Sequence, residues 1–449
     1  MQVYRFVLIL LAVRPWLDLL FGQVQIHIAG RSISPGAGVN ILVILVGVIA
    51  CFDHNRMRLP RRFVLFWAPY LIISFLGILY SPQHVTAART FLVTVSNAAM
   101  FLLAYRLDLI PSNERTLCRT LLLSSTIPIL FAPVQVAMGW GQIGRVSSVF
   151  SHPNVFAFFC MMLAAYFAHC LNKGLFTDRR TRLLLLGATG LLLGCLLLTG
   201  TRSAWLATLV FALLYCAQTR PKFLPVMVLV PCLALLLPQV QARVLQIFTE
   251  TNIDFEYFTA VARGEVAGSE FMQLDSYQWR QFMWQSAMVW VADNPVFGYG
   301  LESFTFYVKQ FFPLAGSLGD GAHNIYVQLL FELGAVGLVT YLWIPISAIV
   351  SSWRGRRHHR ADWAFFVSVI VAYHVAAYSD NMFYYLVVNW EFWFICGSYL
   401  VWLARPHAQG ARAAVEEFPA PVGETPPPRR PAHAPAYRGG LRSTTPRRR

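Results

Sequence analysis

Long apolar stretches alternate with short polar loops along most of the chain. A helix needs about 20 apolar residues to cross a bilayer, and stretches of that order recur throughout. They lie at residues 4–22, 37–53, 63–80, 88–106, 117–140, 148–172, 183–200, 203–218, 224–240, 325–350, 363–379 and 383–404. The pattern predicts an all-α polytopic membrane protein with about 12 transmembrane helices.

The composition agrees with this pattern. Hydrophobic residues make up 57% of the 449 residues and charged residues 13%, whereas soluble domains carry roughly 25% charged residues. The formal net charge of +15 would suggest a nucleic-acid partner in a soluble protein. Here the basic residues concentrate in loops and in the C-terminal region, so we predict contact with membrane lipids and no nucleic-acid partner.

The distribution of Lys and Arg predicts the orientation in the membrane. Cytoplasmic loops of membrane proteins carry an excess of these residues, and a cytoplasmic N-terminus puts every basic cluster on that side. The clusters are Arg56/Arg58/Arg61/Arg62, Arg115/Arg119, Lys173/Arg179/Arg180/Arg182, Arg220/Lys222, Arg354/Arg356/Arg357/Arg360 and the C-terminal tail. Both termini are therefore predicted to be cytoplasmic.

Two domains follow from this layout. Residues 1–404 form the predicted transmembrane domain, and residues 405–449, rich in Pro, Ala and Arg, are predicted to be a disordered basic cytoplasmic tail because they cannot bury a core. Contact with anionic lipid is the favoured role of this tail over a specific binding site.

One outside loop, residues 241–324, is too long to be only a connection. Residues 276–294 within it predict a helix that ends at Asn294-Pro295. Gln278, Gln281 and Gln285 share one stripe, and at 100° per residue Arg280 lies about 200° from Gln278, within the apolar arc. Arg280 is thus either an anion ligand or an arginine that snorkels to the lipid interface.

Four polar groups of residues are predicted on the outside face, where positive charge needs a reason. Arg202 stands in the tight turn Thr199-Gly200-Thr201-Arg202-Ser203. Its planar guanidinium suits bidentate binding of phosphate, and an interfacial anchor is the alternative. The second group is Trp279-Arg280 with the downstream Asp293-Asn294-Pro295-Val296-Phe297-Gly298-Tyr299-Gly300.

The third group begins with His323-Asn324 and continues to Glu332-Leu333-Gly334 and Gly337. His323 could accept a proton near neutral pH, although a structural role is the more common one for a single interfacial histidine. The fourth group is Arg145 with Ser151-His152-Pro153-Asn154, where the alternative is that Pro153 simply begins a helix.

Taken together, these groups resemble the superfamily of O-antigen ligases and polysaccharide polymerases. The matching motifs are the turn at Thr201-Arg202, the helix from Arg280 to the Asp-x-Pro-x-x-Gly-x-Gly run ending at Gly300, and His323-Asn324 before Glu-x-Gly-x-x-Gly ending at Gly337. The resemblance covers roughly residues 145–345. One departure is the Thr-Arg-Ser turn, where many relatives have Ser-Arg-Gly.

The resemblance implies a membrane glycosyltransferase of the bacterial inner membrane, with a GT-C-like helical bundle and a helical periplasmic loop over a cavity. Such an enzyme transfers a glycan from undecaprenyl diphosphate to an acceptor hydroxyl, without a cofactor or metal and with inversion at the anomeric carbon. Arg202 and Arg280 would bind the diphosphate and stabilise its growing charge, and His323 would be the catalytic base. Arg145, His152 and Asn324 are the supporting candidates.

The acceptor decides between two activities. A polymerase extends exopolysaccharide or O-antigen repeat units, and a ligase joins O-antigen to lipid A–core. The Arg145 to Asn154 stretch looks more like the polymerase branch of the superfamily, which favours the polymerase. A flippase or transporter is the non-enzymatic alternative, which the long outer loop, the lack of internal repeats and the clustering of cations near one face disfavour.

Overall fold

The computed structural model describes residues 2–18, 26–28, 31–33, 35–53, 56–57, 59–141, 145–245, 256, 276–312 and 321–405. The predicted disordered tail lies outside the described residues except for Arg405, as do parts of the long outer loop.

Helices make up most of the described chain. They are α1 Gln2–Val13, α2 Pro35–Ile49, α3 Arg61–Leu79, α4 His84–Leu107, α5 Glu114–Ala137, α6 Pro153–Lys173, α7 Arg179–Leu198, α8 Arg202–Thr219, α9 Leu224–Ala234, α10 Pro238–Leu245, α11 Ser276–Asp293, α12 Ser303–Phe311, α13 Ile325–Ser352, α14 Arg360–Ser379 and α15 Leu386–Leu403. Two short antiparallel strand pairs join them, β1 Ile26–Ile28 with β2 Arg31–Ile33 and β3 Phe52–Asp53 with β4 Arg56–Met57. Fold class and multi-pass character agree with the prediction.

The predicted count of twelve spans is not confirmed, because eight of the described helices are long and apolar enough to cross a membrane. The predicted first span is a 12-residue helix followed by a 3-10 turn at Arg14–Leu17. The second, α2, has 15 residues, and α8 has 18 but begins with Arg202. The predicted span 224–240 is divided between α9 and α10.

Helices α6 and α15 form the centre of the bundle, with 89% and 83% of their spans buried. Helix α15 packs directly on α4. At this contact Gly397 lies so close to the Phe101 carbonyl that a Cβ would overlap it. A small residue at this contact therefore allows α4 and α15 to approach closely, as in other membrane bundles. On α14, the ring of Tyr373 stacks on that of Phe392 of α15 with centroids 3.8 Å apart.

A buried polar network joins the helices at one end of the bundle. The Lys173 Nζ lies 2.7 Å from Glu114 and 2.8 Å from Asp362, so one cation bridges two carboxylates that begin different helices. His169 contacts Asp362 at 3.1 Å, and the Tyr399 hydroxyl donates to Glu114 at 2.9 Å. Buried charges are tolerated when paired in this way, and the network links α5, α6, α14 and α15.

At the opposite end, the outer loop forms a hydrophobic core of its own. Buried side chains of α11 and α12 pack with Phe331 of α13. They are Phe282, Met283, Trp284, Ala287, Val291, Phe304 and Val308. The predicted helix over 276–294 is thus confirmed as α11, and its apolar side faces the bundle while Gln281 and Gln285 are exposed.

The two glycine motifs recognised in the sequence bind each other through their backbones. Tyr299 N donates to the Phe331 carbonyl at 3.0 Å and Gly300 N to that of Glu332 at 2.8 Å. In the other direction, Ala335 N donates to the Pro295 carbonyl at 2.9 Å and Val336 N to that of Val296 at 3.2 Å. These bonds form where α13 is interrupted at Gly334, whose φ of 64° and ψ of −166° are not helical.

Glycine is required at this contact for two reasons. A Cβ on Gly334 would overlap the backbone of Val296, and one on Gly298 would overlap the Phe331 carbonyl. Both residues also have positive φ, 64° and 66°, a region that side chains other than glycine's rarely adopt. The Asp-x-Pro-x-x-Gly-x-Gly and Glu-x-Gly-x-x-Gly motifs therefore fix α11 and α12 to α13.

We predict that Gly334→Ala destabilises the protein by about 2–4 kcal/mol, because a methyl group overlaps the Val296 backbone and the backbone conformation is strained. Thermal unfolding in detergent measures this as a lower transition temperature. Gly187→Ala is the control, since a Cβ there meets nothing within 4 Å. An unchanged transition temperature for Gly334→Ala would contradict the role given to this contact.

Candidate active site

Four helix ends meet at the end of the bundle covered by the outer loop. His152 precedes α6 and its Nδ1 accepts from Asn154 N at 3.1 Å. Thr201 precedes α8, Asn324 precedes α13, and Asp380 follows α14. Three helix N-termini thus face one region, and their partial positive charges favour an anion there.

Asp380 is the centre of this region and is fully buried. Its Oδ1 accepts from the Tyr385 hydroxyl at 2.6 Å and from Asn381 N at 2.9 Å. Its Oδ2 accepts from the Asn154 side-chain amide. The carboxylate therefore connects α14, the segment before α15 and the start of α6.

Asp380 faces His323 across a short gap. The His323 Nδ1 lies 3.8 Å from the Asp380 Oδ1, which is an ion-pair distance and longer than a hydrogen bond. Burial acts to raise the pKa of Asp380, but His323 and the positive charge of Arg280 outweigh it, and the pKa is lower than usual. Asp380 is therefore ionised at neutral pH and able to stabilise positive charge on His323.

His323 is held in a strained backbone conformation, with φ at 48°. Its side chain is 35% exposed, so it is open to a substrate. On one side its ring packs edge-on against Trp279, with centroids 6.0 Å apart. The Trp284 Nε1 donates to the carbonyl of the preceding Ala322 at 2.6 Å. Strain supported by surrounding contacts is common at functional sites.

Arg280 belongs to the buried side of α11, one turn before Met283 and Trp284, and is itself partly buried. Its charge acts on both Asp380 and His152. The pKa of His152 is lowered, first by desolvation and then by Arg145, His323 and Arg280, against the opposing effect of Asp380. His152 is consequently neutral at physiological pH.

Arg145 joins the starts of α6 and α8. Its Nε donates to the Thr199 carbonyl at 2.7 Å. Its Nη2 donates to the Asn154 Oδ1 at 2.6 Å and to the Thr201 Oγ1 at 2.8 Å. The Thr201 hydroxyl also donates to the Asn154 Oδ1 at 3.1 Å. Arg145 thus positions Asn154, which in turn binds Asp380.

The predicted site residues occupy different places around this centre. Asp380 lies close enough to His323 and Arg280 for both to lower its pKa. The same two residues also lower the pKa of His152. Arg202 is the first residue of α8, beside Thr201, and is partly buried. The Asn324 side chain caps α13 by accepting from Tyr326 N at 2.9 Å and Val327 N at 3.2 Å, so its role is to begin that helix.

The sequence reasoning missed Asp380 and Tyr385 and gave Asn154 no role. A signal for Asp380 was present, because a carboxylate stands in a short turn between the last two predicted spans, on the same face as His323. Tyr385 and Asn154 carried no comparable signal, since a tyrosine or asparagine near a span end is ordinary.

Residues 187–342 match the family model described as O-antigen ligase. This part of the chain is therefore similar to the O-antigen ligase family. This confirms the family recognised from the motifs, over about a third of the chain. Arg202, Arg280 and His323 lie inside the match, while Arg145, His152 and Asp380 lie outside it. No curated protein matches the chain.

The match supports an enzyme of the glycosyltransferase-like ligase and polymerase type in a multi-pass membrane protein. Proteins of this family act on lipid-linked glycans and on lipid A–core or polysaccharide. The matched segment includes α11, α12 and most of α13. The buried carboxylate of Asp380 lies outside it.

We predict that Asp380→Asn lowers the activity of the site by about tenfold or more. The amide keeps the shape but removes the negative charge that stabilises positive charge on His323. A glycan-transfer assay at matched protein levels measures this effect, with Asp293→Asn, at the far end of α11, as control. Wild-type activity in Asp380→Asn would separate Asp380 from the function of His323.

Proposed function

We propose that this protein is a glycosyltransferase of the bacterial inner membrane. It transfers a glycan from undecaprenyl diphosphate to an acceptor hydroxyl on the periplasmic face. The observation that carries the proposal is the meeting of His323 and Arg280 beside the buried Asp380, at a place where three helices begin.

The cations suit the diphosphate donor. As the glycosidic bond breaks, negative charge grows on the diphosphate, and guanidinium groups fixed in a water-poor site stabilise such charge. Arg280 from the outer loop and Arg202 from the start of α8 are the residues assigned to this task. The N-termini of α6, α8 and α13 add to the positive potential. The reaction as proposed uses these groups in place of a metal ion.

His323 is the proposed catalytic base. It removes the proton from the acceptor hydroxyl as the oxygen attacks the anomeric carbon, and direct displacement inverts the configuration there. Asp380 stabilises the protonated imidazole that results, as a carboxylate does for a catalytic histidine in other enzymes. Undecaprenyl diphosphate leaves from the opposite side of the sugar. His152 is a positioning residue near this pair.

The proposed membrane arrangement places both termini in the cytoplasm and the site in the periplasm. The network of Glu114, Lys173 and Asp362 then lies at the cytoplasmic end. In this arrangement α1, α2, α8 and the α9–α10 segment complete a GT-C-like bundle of about twelve helices together with the eight longer spans. Polymerisation of exopolysaccharide or O-antigen repeat units is preferred to ligation onto lipid A–core. The Arg145 to Asn154 segment is the feature that favours the polymerase, and its hydrogen bonds make it part of the site.

We predict that Arg280→Ala reduces glycan transfer at least about 10²-fold while the protein remains folded, because removal of one charge-stabilising donor costs this much in comparable sites. Arg280→Lys should recover little of the rate, since an ammonium cannot bind two phosphate oxygens in the same plane. Lys309→Ala is the control, an exposed cation on α12. Normal polysaccharide amount and length at matched protein levels would exclude Arg280 from the diphosphate site.

We predict that His323→Gln loses about 10²–10⁴-fold in rate but still binds the donor lipid, because the amide fills the space without accepting the proton. Purified protein with lipid-linked glycan and acceptor is the assay, and donor binding is measured separately. Gln281→Ala, on the exposed side of α11, is the control. Turnover by His323→Gln at the wild-type rate would move the base elsewhere, and His152 would be tested next.

A further inference from the structure

A cavity lies beside the candidate site. It has a volume of about 380 Å³, within the range of small-molecule pockets. Its walls come from the 3-10 turn after α1, from α2, α4 and the start of α6, and from the segment before α15. None of Arg280, His323 or Asp380 lines it, so it is separate from the catalytic pair.

The polar side chains of this cavity are unusual for an intramembrane surface. Asn40 of α2 and Asn97 of α4 both line it, and they are only 8% and 4% exposed. The Oδ1 atom of each accepts no hydrogen bond from any residue that the structure describes. A buried acceptor without a donor costs free energy, so both atoms are suited to a ligand that donates hydrogen bonds.

The remaining walls are mixed. The Arg14 Nη1 donates to Asp18 at 2.9 Å, and both residues line the cavity with Thr90 and Thr94. Thr90, Thr94 and Asn97 are spaced so that they share one side of α4. Arg89 also lines the cavity, and most of the remaining wall is apolar, from Ile41, Leu92, Val93, Val155, Phe383 and Leu386. A mostly apolar wall with a few placed polar groups is typical of small-molecule pockets, and the two buried acceptors and the charged groups suit the hydroxyls of a sugar ring.

The cavity touches the site through two segments. Tyr385 lines it and also donates its hydroxyl to Asp380 at 2.6 Å. Ser151 lines it as well and directly precedes His152. A ligand in this cavity therefore lies one tyrosine away from the carboxylate that faces His323.

We propose that this cavity binds a sugar of the acceptor, with Asn40 and Asn97 accepting hydrogen bonds from its hydroxyl groups. The proposal rests on the proposed glycosyltransferase function and assigns its acceptor subsite. The sugar can come from a lipid-linked repeat unit or from lipid A–core, and the chemistry of recognition is the same for both.

The test is a kinetic comparison of Asn40→Leu and Asn97→Leu with the wild type. Leucine has a similar volume but cannot accept a hydrogen bond, so each variant should raise the KM for acceptor by roughly tenfold. The KM for donor should stay the same. Ser398→Ala, fully buried in α15 and outside the cavity, is the matched control and should change neither constant. Each assay is run with lipid-linked repeat units and with lipid A–core, to identify the source of the sugar.

A second measurement does not depend on catalysis or on the stability of the leucine variants. In Asn40→Cys, a small thiol reagent should label residue 40 from the cavity, and the acceptor glycan should slow this labelling while the donor does not. Mass spectrometry of the peptide containing residue 40 separates it from the native cysteines. Protection without any transfer by the wild type would support the cavity proposal and contradict the proposed function.

Two results would overturn the cavity proposal. Protection by donor alone, with a raised KM for donor in the leucine variants, would mean that the cavity holds the polyprenyl chain. Unchanged KM values and no protection by either substrate would mean that Asn40 and Asn97 bind only water.

Discussion

The arrangement of the site depends on the backbone contact between residues 295–300 and the interrupted helix α13. Four hydrogen bonds cross this contact, and Gly298 and Gly334 leave space for them. The contact fixes α11 relative to the start of α13, and therefore Arg280 relative to His323. Further hydrogen bonds join the next residues of the same segment to α3 and α4, since Leu301 N donates to the Gly77 carbonyl at 3.0 Å and the Thr90 hydroxyl donates to Glu302 at 2.7 Å.

Electrostatics then determine what the site can bind. Asp380 is the buried carboxylate at its centre, and it is surrounded by Arg280, His323 and the ends of three helices. One negative charge among several positive groups leaves a local excess of positive potential. In the proposed function the diphosphate brings negative charge to this region, and its binding would stabilise the folded site. The network around Lys173, at the other end of the bundle, has the opposite character, since its charges are already paired.

Much of this could be predicted from the sequence. Hydropathy located the eight long helices, and the position of Arg280 on the apolar side of α11 followed from helical geometry. The number of complete spans could not be predicted, because α2 and α8 have apolar sequences but are short or begin with a charge. Hydropathy measures composition and not the length of helix that forms.

The contacts between the site residues could not be predicted from the sequence either. The contact of His323 with Asp380 joins residues 57 positions apart, and that of Asn154 with Asp380 joins residues 226 apart. No spacing rule connects such residues, because the packing of α6 against α14 and α15 brings them together. Asn324 was a supporting candidate, and its side chain accepts hydrogen bonds from Tyr326 N and Val327 N at the start of α13, contacts that its place beside His323 did not predict.

The most direct test of the central claim is the stoichiometry of the reaction in purified protein reconstituted in liposomes. Donor lipid and acceptor are supplied, and released undecaprenyl diphosphate is counted against new glycosidic bonds. We expect one diphosphate to be released for each bond, with inverted anomeric configuration. Movement of intact lipid-linked glycan across the membrane, with its glycosyl–phosphate bond unbroken and no product formed, would contradict the glycosyltransferase account and favour a transporter.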